Sequence, residues 1–138
     1  MHIDEVGTIP LCETLPHTHV AEAAHLLDRI TVPAGKVLIR QGELADEFFV
    51  ILDGEADVIR DNRLVAVLGA GDFFGEIELL GSPFRVATVS ACSKLELGVI
   101  QRREFRRLLS RFPEFAAVVL STAARRAVAP GREVATLP

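Results

Sequence analysis

From Ile30 to Ile100 the apolar residues stand in short runs or alternate with polar ones, and turn-forming clusters interrupt them. The breaks fall at Pro33-Ala34-Gly35, Gln41-Gly42, Asp53-Gly54, Asp61-Asn62, Gly69-Ala70-Gly71-Asp72 and Cys92-Ser93. Turn signals at intervals of roughly 8–12 residues, with period-two runs between them, predict an antiparallel β-roll or barrel. The expected strands are Val32, Val37–Ile39, Glu47–Leu52, Glu55–Arg60, Leu64–Leu68, Val86–Ala91 and Leu95–Ile100. Asp53-Gly54 and Asp61-Asn62 suit tight hairpins, because Gly, Asn and Asp tolerate positive φ.

On both flanks the period changes to that of a helix. After Leu15-Pro16, the segment His17 to Arg29 places Val20, Ala23, Ala24 and Leu27 on one face. Further on, Phe105, Leu108, Leu109 and Phe112 fall at i, i+3, i+4 and i+7, an apolar stripe that must pack on something. Pro113 ends this helix, since it disfavours a helical backbone at the residue before it. A second helix is expected from near Glu114, with Phe115, Val118, Val119 and Thr122 facing one way and Pro130-Gly131 as its stop. The fold class read from the pattern is therefore mainly β with flanking α: a β-roll, one N-terminal helix and two C-terminal helices. Residues 1–10 read as an N-terminal extension, 11–128 as the domain and 129–138 as a tail.

Composition narrows the class. The chain has 138 residues, 49% of them hydrophobic, and a mean hydropathy of +0.31, enough to bury one core. The longest near-apolar run, Phe115 to Ala124, falls short of the ~20 residues a membrane span needs. With no basic stretch ahead of an apolar one at the N-terminus, a secretory signal is not expected, and a cytoplasmic location is. Cys12 and Cys92, lacking any CxxC spacing, fit a reducing compartment with both thiols free. Charge is uneven: residues 1–80 hold 15 Asp and Glu against 5 Lys and Arg, and residues 81–138 hold 4 against 10. Arg102, Arg103, Arg106, Arg107 and Arg111 lie opposite the apolar stripe of their helix, so a solvated face is the reading, not a nucleic-acid surface.

Several chemistries fail on spacing. His2, His17, His19 and His25 all precede the roll, so no His-x-His on a strand can hold a metal. Gly69-Ala70-Gly71 with Gly75 has the wrong intervals for a dinucleotide loop, and no GxxxxGK[ST] occurs. Ser82 and Ser90 have no histidine close enough to act as base. No catalytic residues and no cofactor are expected.

One stretch does assemble chemistry: Phe74-Gly75-Glu76-Ile77-Glu78-Leu79-Leu80-Gly81-Ser82-Pro83-Phe84-Arg85-Val86-Ala87-Thr88-Val89. Gly75 gives an unhindered turn. The next five residues suffice for about one helical turn, whose first amides lack internal partners and attract an anion. Arg85 adds a permanent cation with a fork shaped for phosphate oxygens, and Glu76 an acceptor for a sugar hydroxyl.

These residues resemble the phosphate-binding cassette of the cyclic nucleotide-binding domain family. The resemblance reaches back to Val37-Leu38-Ile39-Arg40-Gln41-Gly42-Glu43 and Phe48-Phe49-Val50-Ile51-Leu52-Asp53-Gly54, and covers Leu11 to about Val128. It implies a jelly-roll topology with the cassette between two strands. It also implies that the backbones of Gly75, Ile77, Glu78 and Val86 and the side chain of Arg85 hold a cyclic phosphate, with Glu76 accepting from the ribose 2′-hydroxyl. Two departures stand out. Glu78 replaces a small residue and puts a carboxylate near the phosphate, and Phe84 separates Pro83 from Arg85. Val86 stands where cGMP-preferring relatives often carry Ser or Thr, which favours cAMP, with cGMP as second candidate. Val58 and Leu68 are expected to wall the base. Arg126 matches an arginine of related channel domains that reaches the base from the last helix; a solvated helix charge is the alternative. The implied function is a regulatory sensor that signals through its C-terminal helices to a separate effector protein, without nucleic acid or membrane, and with a homodimer left open. The other reading is a degenerate roll that serves as an interaction or dimerisation domain without ligand.

Overall fold

The computed structural model describes residues 1–13, 15–76 and 84–128. Two four-stranded antiparallel sheets face each other, and helices cover one side. The strands are β1 Asp28–Val32, β2 Val37–Ile39, β3 Glu47–Asp53, β4 Ala56–Arg60, β5 Arg63–Leu68, β6 Phe73–Phe74, β7 Thr88–Ala91 and β8 Leu95–Gln101. One sheet runs β1-β8-β3-β6 and the other β2-β7-β4-β5. The β-roll expected from turn spacing is the observed architecture.

Asp61 and Asn62 adopt φ of 52° and 64° and join β4 to β5 in a two-residue turn, as their tolerance of the left-handed region predicts. Asp53-Gly54 does something else. β3 and β4 belong to different sheets, so this turn is a crossing, and the expectation of a hairpin there is corrected. Gly54, at φ 96°, lies where a Cβ would stand 2.2 Å from the Lys94 carbonyl oxygen. Another crossing, β7 to β8, packs directly on it: the Glu55 amide donates to Ser93 Oγ at 2.9 Å and the Cys92 amide to the Glu55 carbonyl at 3.0 Å.

The helices are α1 Ile3–Gly7, α2 His17–Leu26, α3 Arg102–Arg111 and α4 Pro113–Val128, with a 3-10 turn at Pro10–Cys12. The helix expected to reach Arg29 stops earlier, because the chain turns extended at Leu27 and enters β1. The leading segment also packs: Val6 is fully buried, and Ile9 and Leu11 join the same cluster. The apolar stripe of α3 is buried as expected at Phe105, Leu108 and Phe112. On α4, Phe115, Val119 and Thr122 face inward but Val118 does not. Cys12 is buried, Cys92 is exposed, and both are free.

Two apolar clusters result. One lies between the sheet and the helices, with Phe48 stacked on Phe105 at a centroid distance of 4.2 Å. The other fills the roll, with Phe49 stacked on Phe74 at 4.8 Å. Strand alternation makes β3 serve both: Phe48 and Val50 point to the helices, Phe49 and Ile51 into the roll.

Candidate functional site

β6 delivers the chain to Gly75 at one end of the roll. Gly75 sits at φ 92°, where a Cβ would come within 2.9 Å of the Glu47 carbonyl oxygen and 3.0 Å of Arg85 Nη1. Both the conformation and the space demand glycine. Arg85 arrives from the far side of the cassette. Its amide donates to the Glu43 carbonyl at 2.7 Å and its own carbonyl accepts from Gly42 at 2.9 Å. Fixed by this pair of bonds, the side chain runs inward, 4% exposed, and Nη2 donates to the Glu47 carbonyl at 2.8 Å. The turn glycine and the strand-opening guanidinium, ten positions apart in sequence, thus meet.

Glu76 is the next residue and is 1% exposed. Arg126 of α4 donates from Nη1 to its carboxylate, and the Arg126 guanidinium carbon lies 5.3 Å from the centre of the Phe73 ring. A carboxylate so deeply buried is stable only with a compensating partner. Arg126 supplies one from the helix that closes the roll.

These groups edge a cavity of ≈ 70 Å³, whose apolar wall includes Val58, Val65, Leu68 and Val89 and whose polar end includes Gly75, Glu76, Val86 and Arg126. Val58 and Leu68, expected to wall a base, both line this cavity, and Arg85 stands behind Gly75. Ile77 and Glu78 lie outside the described residues. Arg126, read as a base contact or a solvated charge, is instead engaged with Glu76, its side chain 24% exposed. Sequence reasoning missed Arg60, which also lines the cavity; the signal was its place two residues after Val58, on the same face of a strand. Arg60 and Arg126 line the cavity together with one carboxylate, Glu76, while Arg85 is tied to the Glu47 carbonyl beside Gly75; among the described residues no group of three or more His, Cys, Asp or Glu could hold a metal. Such a site suits an anion attached to an apolar body.

The family model for the cyclic nucleotide-binding domain matches residues 29–112, more than half of the chain and all of the roll's closing strands. The chain belongs to this family. Among members of the cyclic nucleotide-binding domain family, it is 37% identical over 128 residues to a cyclic nucleotide-gated potassium channel of Rhizobium etli, covering 93% of this chain and 36% of the channel. It is 35% identical over 102 residues to the cAMP-dependent protein kinase regulatory subunit of Schizosaccharomyces pombe, covering 73% of this chain and 25% of that protein. The chain thus spans well under half the length of both relatives. Among solved structures of cyclic nucleotide-binding domains, the catabolite activator protein of Thermus thermophilus superposes with a TM-score of 0.76 at 30% identity, over 86% of this chain and 58% of that one. A cAMP-bound PfPKA-R structure superposes with a TM-score of 0.79 at 26% identity, over 91% and 44%.

Proposed function

We propose that this domain is a regulatory module that binds a cyclic nucleotide, cAMP first, and reports it through α3 and α4, with no catalysis of its own. The observation that carries this reading is the meeting of Gly75, Glu76 and the inward-turned Arg85 at one end of an apolar cavity. Arg85 would neutralise the phosphodiester, Glu76 would accept from the sugar, and Val58 and Leu68 would cover the base. Ile77 and Glu78 complete the proposed phosphate cradle through their backbones. The relatives support it: one is a cyclic nucleotide-gated potassium channel, one a cAMP-dependent protein kinase regulatory subunit, and one structure holds cAMP.

Signalling follows from size. Pockets for drug-sized ligands occupy roughly 300–1,000 Å³, whereas this cavity measures ≈ 70 Å³ with Arg126 drawn across Glu76. A nucleotide seats only if Arg126 yields Glu76 to the sugar, and α4 must move with it. Ligand and helix position are then coupled through one carboxylate. The compartment is taken to be the cytoplasm, in keeping with two free thiols.

The test is calorimetric titration of the chain with cAMP and cGMP, alongside Arg85→Ala. Near one-to-one heat is expected for the wild type. A charge-assisted hydrogen bond is worth roughly 1.5–3 kcal/mol, so the variant should bind about ten- to a hundredfold more weakly. Unchanged affinity would remove Arg85 from the site. The same small cavity favours one second reading, a ligand-free interaction domain, and the absence of heat with either nucleotide would select it.

A further inference from the structure

We propose that Gln41 and Asp61 are positioning residues for Arg85, so that the tip of the β4–β5 hairpin sets how firmly the pocket grips a phosphate. The proposal rests on the cyclic nucleotide reading above and concerns the regulation of that site. Arg85 lies outside every described strand, between an isolated bridge at Leu44 and Phe84 and the start of β7 at Thr88. Its amide and carbonyl bond instead to the loop that follows β2, at Glu43 and Gly42. Where the guanidinium lies therefore depends on what holds that loop.

Gln41 holds it through three bonds. Its amide donates to Thr88 Oγ1 at 3.0 Å, its Nε2 donates to Asp61 Oδ1 at 2.8 Å, and its Oε1 accepts from the Asp61 amide at 2.9 Å. The last two form a closed pair between a loop and a hairpin tip that stand twenty positions apart in sequence. The tip offers both groups because Asp61, at φ 52°, takes the left-handed conformation of the turn. The hairpin then returns to the cassette: Nε of Arg60 donates to the Val86 carbonyl at 3.2 Å, one residue beyond Arg85. Arg85, Glu43, Gln41, Asp61, Arg60 and Val86 thus lie on one closed ring of chain and hydrogen bonds. From that ring the Arg85 side chain extends inward to the Glu47 carbonyl and Gly75.

The effect on a ligand follows from tolerance. A guanidinium fork meets phosphate oxygens only in a narrow range of geometry, and binding groups need to be held within about 0.5 Å by the residues behind them. Arg85 is buried, so a displaced backbone cannot be made good by the side chain swinging through solvent. Gln41 and Asp61 are themselves exposed and stand outside the cavity lining. They reach a ligand through Arg85. A contact that captures Asp61 at the tip releases Gln41 and loosens the grip, which makes this turn a point of control remote from the ligand.

The experiment is calorimetric titration of the full chain with cAMP, for Gln41→Ala, Asp61→Gly and Asp61→Asn, each alone and combined with Arg85→Ala. Asp61→Gly keeps a residue suited to positive φ and removes the acceptor; Asp61→Asn removes the same charge but keeps an oxygen for Gln41. Gln41→Ala and Asp61→Gly should each weaken cAMP about three- to tenfold, and Asp61→Asn should restore most of that loss. In the Arg85→Ala background all three should match Arg85→Ala alone. Equal loss in both backgrounds, equal loss in Asp61→Gly and Asp61→Asn, or unchanged affinity would each overturn the proposal and leave the nucleotide reading in place. Where Arg85→Ala alone abolishes the heat, Gln41→Ala combined with Asp61→Gly decides: a loss no larger than either single one supports the proposal, and an additive loss overturns it. A wild type that binds neither cAMP nor cGMP would overturn both. Melting temperatures of the variants confirm that comparisons are made on folded protein.

Discussion

Gly75 is the position where one added methyl should do most harm. A side chain there must adopt φ near 92° and press on the Glu47 carbonyl, a backbone atom that cannot swing aside. Strained backbone of this kind costs on the order of 1–3 kcal/mol. Gly75→Ala should therefore lower the urea midpoint measurably and reduce nucleotide affinity further, because the Cβ also pushes on Arg85. The two thiols differ in a way that a labelling reagent reads directly. Burial pushes the Cys12 thiol up to about 11, and the residue is 3% exposed. Partial desolvation raises Cys92 first, and the Asp57 and Glu55 carboxylates add to it, although that residue lies at the surface. At neutral pH one thiol should label, slowly, in the native protein, and the second only after unfolding; rapid native labelling of both would contradict the packing of Cys12.

Among the elements, α4 is joined to the cassette by the Glu76–Arg126 pair. Close ion pairs couple by about 0.5–3 kcal/mol, which a double-mutant cycle of Glu76→Gln and Arg126→Gln should recover from denaturation midpoints. Arg126→Gln should be the more harmful single change, since it strips a deeply buried carboxylate of that cation. Additive effects would mean that the pair does not hold the helix. The element level is also where reading a sequence met its limits. The longer strands and α3 were legible because period and punctuation agree over their lengths. β6 was not, as Phe73-Phe74 is too short to show alternation. The first two residues of β1, Asp28 and Arg29, were absorbed into the preceding helix because neither Gly nor Pro marks the exit at Leu27, and its first four residues are all exposed. The cassette could be read because its residues are local in sequence. Arg126 on Glu76 could not, since fifty positions separate them and only the packing of α4 brings them together.

Over the whole molecule, the N-terminal segment is fastened to the sheet by a small charged cluster. Glu96 of β8 accepts from Thr31 and Arg29 of β1, and Arg29 also pairs with Glu5 of α1. The Thr31 hydroxyl first, then Arg29, holds the Glu96 carboxyl below its ordinary value. A carboxyl that is more acidic in the folded state takes up its proton first in the unfolded chain. Its contribution is therefore present above the ordinary carboxylate range and lost as pH falls through it. Glu96→Gln should be less stable than wild type at neutral pH, and the gap should close as urea midpoints are followed into acid. A gap of constant size would locate its cause in packing.

The alternation of β3 has a last consequence. Phe48 and Val50 face one compartment, Phe49 and Ile51 the other, so this strand is a party wall, and neither room can be flooded while its neighbour stays dry. Heat should empty both together, in a single step.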